Sequence, residues 1–261
     1  MLIVDDRNYR DMIRREEDRG FLHGQNPEPA AYAAGNVPNL PAFAESFRLI
    51  PRTEWADRIR AREERAMARM IRQAGIPTFN QGNTNWCWAH AAVKSVCACL
   101  AVQGTPKILA PESVAGPASG WRNVGGTLTQ AFTQLRSTGA CSRDFVTQAN
   151  TVRSSVLKPG WQADAIRVDE TYSLIGRNIY DQCITAMFEG FALAVGVYWW
   201  MHAICYLDPV LLDNGSVGVL FDNSHGTRYG DDGMAVFTES RGTPETGWGV
   251  IACRSVLHVP E

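Results

Sequence analysis

The sequence lacks several features that would assign it to a class at once. Neither charge is in excess, since 25 Lys and Arg stand against 27 Asp and Glu for a net charge of −2. The first residues lack the basic start and apolar stretch of a secretory signal. Seven cysteines are an odd number and cannot all pair with one another. We therefore expect an intracellular chain with reduced thiols and no nucleic-acid partner.

A long hydrophobic run is nearly absent as well. Residues 190–207 are almost free of charge, but His202 and two tryptophans fall in the middle of the segment. A histidine is costly there in a membrane-spanning helix. The glycines, β-branched residues and aromatic residues favour buried strands instead. The sequence therefore predicts no membrane partner.

The composition that is present is that of a globular protein, with 261 residues, 45% hydrophobic and 20% charged. Residues 1–75, called here the N-terminal arm, differ from the rest. They read as a charged helix over residues 7–19, an extended linker over 24–41 and a second helix over 54–73. No internal repeat is present. We expect the arm to dock on another surface because its helices carry partial apolar stripes.

Residues 76–261 are less charged and read as one domain with helices before strands. Helices are predicted over residues 87–102, 127–137 and 179–189, and strands over 191–198, 203–207, 218–222 and 233–238. Residues 213–215 (Asp-Asn-Gly) mark a hairpin turn between two of these strands. This order predicts an α+β fold in two lobes, the first helical and the second rich in antiparallel strands.

Cys87 begins the most apolar of these helices. A thiol at a helix N-terminus lies at the positive end of the helix dipole, which favours the thiolate, the nucleophilic form. Taken alone, a cysteine next to a tryptophan is more often a buried hydrophobic residue. The assignment therefore depends on a partner.

His202 and Asn223 supply that partner. His202 starts a predicted strand, and Asn223 ends the strand that returns after the hairpin turn. An imidazole near Cys87 would accept its proton, and an Asn amide oxygen would fix the orientation of the ring. The two residues are offset relative to the turn, so a bulge or an asymmetric loop has to absorb the difference. Alternatively, His202 is a core residue and Asn223 a turn residue.

Gln81 lies six residues before Cys87 in a polar loop. Its side-chain NH₂ group and the backbone N–H of Cys87 could form a two-donor oxyanion hole. Alone, Gln81 would be read as a surface residue.

These residues resemble those of papain-like cysteine peptidases, in the same order along the chain. The similar segments are Asn80-Gln81-Gly82 with Cys87-Trp88-Ala89, then Asn123-Val124-Gly125-Gly126, then His202-Ala203, then Asn223-Ser224-His225-Gly226. The resemblance implies the papain-like fold, with a helical lobe that carries Cys87 and a β-rich lobe that carries the His and the Asn. It also implies hydrolysis of a peptide or protein substrate through a thioester, with no cofactor.

The resemblance further implies a role for each residue. Gln81 would be the oxyanion donor, Cys87 the nucleophile, His202 the base and acid, and Asn223 the residue that orients it. The substrate would lie in the cleft between the lobes, in contact with the following residues: Gly125, Gly126, Trp86, Trp88 and His225.

Two residues depart from the family pattern. Trp86 is bulky beside the nucleophile, and we expect it to narrow the cleft. His225 stands where the family usually has a Trp that shields the His–Asn hydrogen bond, so we expect water to reach that bond more easily.

The role of the N-terminal arm has two readings. It could be an inhibitory propeptide, or it could hold protein neighbours in a large assembly such as a virus particle. Packing of the arm across its own cleft would argue against the second reading. A structural or assembly protein that keeps the fold is therefore the alternative to a peptidase, and an amidase acting on cell-wall peptides is a third hypothesis.

No metal site is predicted. One predicted helix carries four potential zinc ligands, Cys87, His90, Cys97 and Cys99. Cys97 and Cys99 lie on different faces of that helix, so the spacing is not typical of a zinc site. Asp222, Asp231 and Asp232 lack the order of calcium ligands in an EF-hand.

Overall fold

One seven-stranded sheet forms the centre of the molecule. The computed structural model describes residues 1–28, 40–62, 66–245, 250–253 and 256–257. The order of the strands in the sheet is β1-β7-β6-β5-β4-β8-β3, and β2 pairs with β9 in a separate ribbon. The strands of the described part are β1 Ile3–Val4, β2 Arg167–Val168, β3 Thr171–Ser173, β4 Ala192–Val197, β5 His202–Leu211, β6 Val217–Asp222, β7 Met234–Phe237, β8 Val250–Cys253 and β9 Val256–Leu257.

Helices cover both faces of this sheet. In the described part they are α1 Tyr9–Glu17, α2 Phe43–Ser46, α3 Arg52–Arg62, α4 Met67–Gln73, α5 Cys87–Val102, α6 Glu112–Ser119, α7 Leu128–Ser137, α8 Ile179–Phe188 and α9 Glu239–Gly242. Ala192 and Ala194 of β4 pack in one core with α5, whereas Leu193 and Val195 pack in a second core with α8. This alternation is the two-residue period of a strand buried on both faces. The α+β class predicted from the sequence is confirmed.

The helix α5 is the element that positions the predicted nucleophile. It is buried on every side except at Val102, as its uninterrupted apolar sequence predicts. No side chain caps its N-terminus, so the first backbone N–H groups remain available to other acceptors. Its predicted bounds, residues 87–102, are confirmed.

The hairpin of β5 and β6 contains the irregularity that the sequence requires. Leu211 pairs with Val217 beside the turn, and the register shifts by one residue between Tyr206 and Asp208. The resulting β-bulge shifts the far end of the hairpin by one residue, and Cys205 pairs with Asp222, the residue before Asn223.

One helix predicted in the arm is wrong in its extent. The segment 54–73 forms two helices, α3 and α4, and Ala66 before α4 has an extended backbone (ψ 132°). The carboxylate of Asp208, from β5, accepts the N–H groups of Met67 and Ala68 at 2.9 and 2.8 Å. A distant carboxylate thus caps a new helix start, and residues 63–65 lie outside the described part.

The arm is built into the same domain in its described part. Ile3 and Val4 form an edge strand parallel to β7. Phe43 and Trp55 are buried in the core beneath α8. Most of the linker predicted over 24–41 lies outside the described residues, which omit 29–39.

The described part contains no helix that is long and apolar enough to cross a membrane. The segment considered above, residues 190–207, contains β4 and the first part of β5, as predicted. All seven cysteines carry free thiols.

Candidate active site

Cys87 lies at the N-terminus of α5 and is fully buried. Its sulfur accepts the backbone N–H of Gly24 at 3.3 Å. Burial raises the pKa of the thiol to about 11, against the opposite effect of N–H groups from Ala203, Gly24, Trp88 and Cys87 itself. The thiol is therefore neutral while the arm covers it. The contact with Ala203 also locates the sulfur beside the start of β5.

His202 and Asn223 form a direct pair at this place. The Nε2 atom of His202 lies 2.8 Å from the Oδ1 atom of Asn223, and both residues are fully buried. Ser224 donates its backbone N–H to the same Oδ1 atom at 2.8 Å, which fixes the amide orientation. With Nε2 donating to Asn223, the remaining ring nitrogen, Nδ1, is the atom left to act as base. It has no hydrogen-bond partner among the described residues.

Burial also sets the protonation of His202. It lowers the pKa of the imidazole well below its usual value, and the nearby rings of His225 and His23 lower it further. In the covered state, Cys87 and His202 are therefore both neutral. A thiolate–imidazolium pair would need the solvent that the arm excludes.

Gln81 is held rigidly beside this pair. Its Oε1 atom accepts the hydroxyl of Ser224 at 2.6 Å. Its NH₂ group donates to the carbonyl oxygens of Thr84 and Leu22, at 2.7 and 2.9 Å. One donor of the predicted oxyanion hole is thus aimed at a carbonyl of the arm.

Gly125 and Gly126 form one wall of the cleft, and the arm lies against it. Gly126 donates its N–H to Gly24 and accepts the N–H of Asn26, both at 2.8 Å. A Cβ atom at Gly125 would lie 2.7 Å from the Gly24 carbonyl oxygen, and one at Gly126 would lie 2.8 Å from Cδ2 of Trp88. Only glycine leaves room for a backbone on one side and the indole of Trp88 on the other.

The predicted contact residue Trp86 lies elsewhere than expected. Trp86 is buried with its indole N–H donated to the carbonyl of Arg122 at 3.1 Å and its ring edge-on to Trp121. It therefore packs within the helical lobe, and the expectation that it narrows the cleft is wrong. The Trp86 side chain points inward because burial of so large an apolar ring removes a large apolar area from water.

His225 covers the His–Asn pair instead of exposing it. Its ring lies 4.5 Å from that of His202 and stacks on Phe21 at 4.1 Å. The centre of the Trp200 ring lies 4.6 Å from that of His202. The expectation that water reaches the His202–Asn223 bond is wrong, because aromatic rings from the arm and the β5 start replace the missing Trp.

Residues 22–26, called here the cleft segment, occupy the cleft. Besides the contacts above, Gln25 donates its N–H to the carbonyl of Met201, next to the predicted base, at 3.1 Å. The sulfur contacts an N–H group, that of Gly24, whereas Gln81 binds the carbonyl of Leu22. Attack requires one carbonyl group at both places. The cleft segment is therefore bound without presenting a bond for cleavage.

Sequence reasoning missed two further residues at the site. Glu16 of α1 is buried with its Oε1 atom 2.7 Å from Nδ1 of His225, and His23 of the cleft segment has its Nε2 atom 3.7 Å from Oε2 of Glu16. A glutamate in a helix rich in charged residues gives no local signal of burial. Its role emerges only when the arm is placed on the domain.

Solved structures with the same fold are papain-like cysteine proteases. Procathepsin L 3 from the larval midgut of Tenebrio molitor is 16% identical, with a TM-score of 0.55 over 69% of this chain and 67% of that one. The ragweed pollen allergen Amb a 11, in its proform, is 15% identical, with a TM-score of 0.56 over 92% and 73%. Procathepsin B S9 from Trypanosoma congolense is 13% identical, with a TM-score of 0.58 over 83% and 82%. No family model and no curated protein matches the chain.

Proposed function

We propose that this chain, whose fold is papain-like, is a cysteine peptidase that hydrolyses peptide or related amide bonds and is held inactive by its own N-terminal arm. The observation that carries the proposal is the buried His202–Asn223 pair, placed beside a cysteine at a helix N-terminus. This combination matches the requirements of an activated thiol nucleophile. The neighbours with a similar fold are named as proteases, two of them as procathepsins.

The reaction begins when the cleft segment leaves. Solvent and the helix dipole then favour transfer of the Cys87 proton to Nδ1 of His202. The thiolate attacks the substrate carbonyl carbon, and Gln81 with the backbone N–H of Cys87 stabilises the oxyanion. His202 gives its proton to the leaving amine as the C–N bond breaks, which leaves a thioester on Cys87. Water, deprotonated by His202, then hydrolyses the thioester and restores the thiol.

The covered state supports an inhibitory role for the arm. The cleft segment takes the places that a substrate would need at the sulfur, at the Gly126 backbone and at Gln81. Such self-packing also argues against the hypothesis that the arm serves mainly to hold neighbours in an assembly. That hypothesis requires residues 22–26 to lie on another chain.

The substitution Gly24→Ala tests this proposal in the full chain. A Cβ atom at Gly24 would lie 2.6 Å from the carbonyl carbon of Asn85, and real Cβ atoms do not approach backbone so closely. We expect the cleft segment to be expelled while the domain stays folded. Alkylation of Cys87 by iodoacetamide, followed by peptide mapping, and hydrolysis of a mixed fluorogenic peptide library at pH 7 should both rise about tenfold or more.

Two controls make the result specific. Gly20→Asn changes an arm glycine whose surroundings are open and whose positive φ of 76° suits Asn, and we expect no change from wild type. Cys87→Ala added to Gly24→Ala should abolish hydrolysis. The proposal is rejected if limited proteolysis shows that the arm is released, yet Cys87 reacts no faster than Cys141 or Cys183 and no peptide is cleaved.

A further inference from the structure

We propose that Glu16, His23 and His225 form a binding site for a divalent transition metal of the zinc class, which links the arm to the domain. Two of the three ligands come from the arm, and the third comes from the loop after β6. One potential ligand atom from each residue lies within 4.8 Å of the others. Neither the sequence pattern nor the comparisons assign a metal to this fold position.

The geometry brackets the spacing that a metal requires. Zinc binds imidazole nitrogen at about 2.0 Å, and two ligands of a tetrahedral site are then about 3.3 Å apart. Oε2 of Glu16 lies 3.7 Å from Nε2 of His23. Oε1 of Glu16 lies 2.7 Å from Nδ1 of His225. The three ligand atoms lie within 4.8 Å of one another, so side-chain shifts of about 1 Å bring them to bonding positions, with a fourth position for water or a further donor.

Unpartnered atoms point to the same place. Oε2 of Glu16 and Nε2 of His23 are buried and have no hydrogen-bond partner among the described residues. The Glu16 side chain is only 3% exposed and the His23 side chain 13%. Leaving such groups unsatisfied costs about 1–3 kcal/mol for each, and more where the group is charged. A cation between them would satisfy both at once.

The chemistry of the donors selects the class of metal. Two imidazoles and one carboxylate suit Zn²⁺ and its neighbours in the first transition row, and do not suit Mg²⁺ or Ca²⁺, which prefer oxygen. The Glu16 carboxylate can only accept, so Nδ1 of His225 carries the proton in their hydrogen bond. Metal binding at Nδ1 therefore requires the His225 ring to carry its proton on Nε2 instead, while His23 binds through the lone pair on its own Nε2.

A metal bound at this site would affect the cleft, because the site lies next to it. The His23 ring lies 5.5 Å from that of His202, and the following residue, Gly24, contacts the Cys87 sulfur. The full ligand set exists only when the arm is in place. A metal would therefore stabilise the covered state by the linkage RT ln(1 + [M]/Kd). This consequence rests on the proposed function, whereas the metal site itself does not.

Arginines on the solvent side oppose a dication and determine the conditions of the test. Arg15, Arg19 and Arg228 line the surface pocket next to Glu16. Their repulsion is screened at physiological ionic strength, where the Debye length is about 8 Å. Binding is therefore measured at 0.15 M salt.

The experiment titrates the chelator-treated full chain with Zn²⁺ by calorimetry and with Co²⁺ by visible absorption. We expect one metal per chain and Co²⁺ bands of a site with mixed nitrogen and oxygen ligands. Glu16→Gln and His23→Asn should each weaken Zn²⁺ binding about tenfold or more. Glu17→Gln removes the same charge from the exposed next residue and should bind as wild type does. Cys87→Ser should also bind normally and show no loss of Co²⁺ absorption.

A second readout follows the arm itself. Saturating Zn²⁺ should slow limited proteolysis of residues 1–28 in wild type and in Glu17→Gln, but not in Glu16→Gln or His23→Asn. The inference is overturned if both ligand variants bind Zn²⁺ as wild type does, if binding is lost in Cys87→Ser, or if no binding occurs at one equivalent. Metal binding combined with an inactive Gly24→Ala variant would support the metal site and reject the peptidase.

Discussion

Two buried polar clusters flank the proposed catalytic residues, and their hydrogen-bonding groups are satisfied to different degrees. Behind the site, Lys94 of α5 lies 3.1 Å from Asp222 and donates to the carbonyl of Pro77 at 2.8 Å. Thr78 donates its hydroxyl to the same Asp222 carboxylate at 3.1 Å. Over the site, the cluster of Glu16, His23 and His225 leaves polar atoms without partners.

The difference indicates different roles. Lys94 belongs to the helix of Cys87, and Asp222 is the residue before Asn223, so this ion pair joins the two elements that carry the proposed catalytic groups. Burial raises the pKa of the Asp222 carboxyl, and the Lys94 charge opposes that rise. The first cluster thus joins two elements of the domain to each other, whereas the second joins the arm to the domain.

The largest effect is expected from breaking the satisfied pair. Lys94→Met leaves the Asp222 carboxylate buried without its cation and should lower the free energy of unfolding by about 3–5 kcal/mol. Urea denaturation at pH 7 measures this loss. Asp222→Asn added to Lys94→Met removes the unpaired charge and should recover part of the stability. A loss of less than 1 kcal/mol in the single variant would show that the pair is not what fixes these elements.

The cluster over the site should respond differently. Glu16→Gln replaces a charge-assisted hydrogen bond to His225, worth about 1.5–3 kcal/mol, by a neutral one. We expect alkylation of Cys87 to accelerate by about tenfold in the presence of a chelator, since the arm is held less tightly. Global unfolding in urea should change much less than in Lys94→Met. Equal behaviour of Glu16→Gln and Glu17→Gln would contradict the distinction between the clusters.

The pH dependence of alkylation distinguishes the covered and open cleft. Burial raises the folded-state pKa of Cys87 to about 11, so wild-type alkylation should keep rising with pH through the alkaline range. In Gly24→Ala the raising effect of burial is lost, and the thiolate forms at lower pH. The pH at the midpoint of the rate profile should therefore fall by about two units or more, into the range of an ordinary cysteine pKa or below it. Coincident profiles would mean that the arm does not control this thiol.

The smallest effect concerns His90, which lies buried on α5 near Lys94 with both ring nitrogens unpartnered among the described residues. Burial lowers the pKa of His90 to about 4, so its ring is neutral. We expect His90→Met to change the free energy of unfolding by less than about 1.5 kcal/mol, and Zn²⁺ binding by the full chain not at all. Loss of binding would place the metal elsewhere than Glu16, His23 and His225.

The parts of the site that local sequence determines could be predicted. The apolar run from Cys87 defines α5, and the hairpin turn with its offset partners requires the bulge that the structure contains. The same hairpin predicts that His202 and Asn223 lie close together. The nearly uncharged runs of apolar, β-branched and aromatic residues likewise predict the central strands.

The parts set by distant partners could not be predicted. The break between α3 and α4 depends on Asp208, about 140 residues further along the chain. The burial of Glu16 depends on His225, 209 residues away. The inward turn of Trp86 depends on the Arg122 carbonyl. In each case the local pattern fits more than one environment, and tertiary packing selects among them.

The edge strand β1 has a consequence for how the cleft opens. Ile3 and Val4 pair with β7 on one side of the cleft segment, and Phe43 is buried in the core on the other. A segment attached at both ends keeps an effective concentration of about the millimolar range near the cleft after it dissociates from it. It therefore rebinds the cleft before a free peptide at lower concentration can bind there. Even a break in the backbone between these two anchors would leave each half attached, and sustained turnover would require an anchor to detach as well.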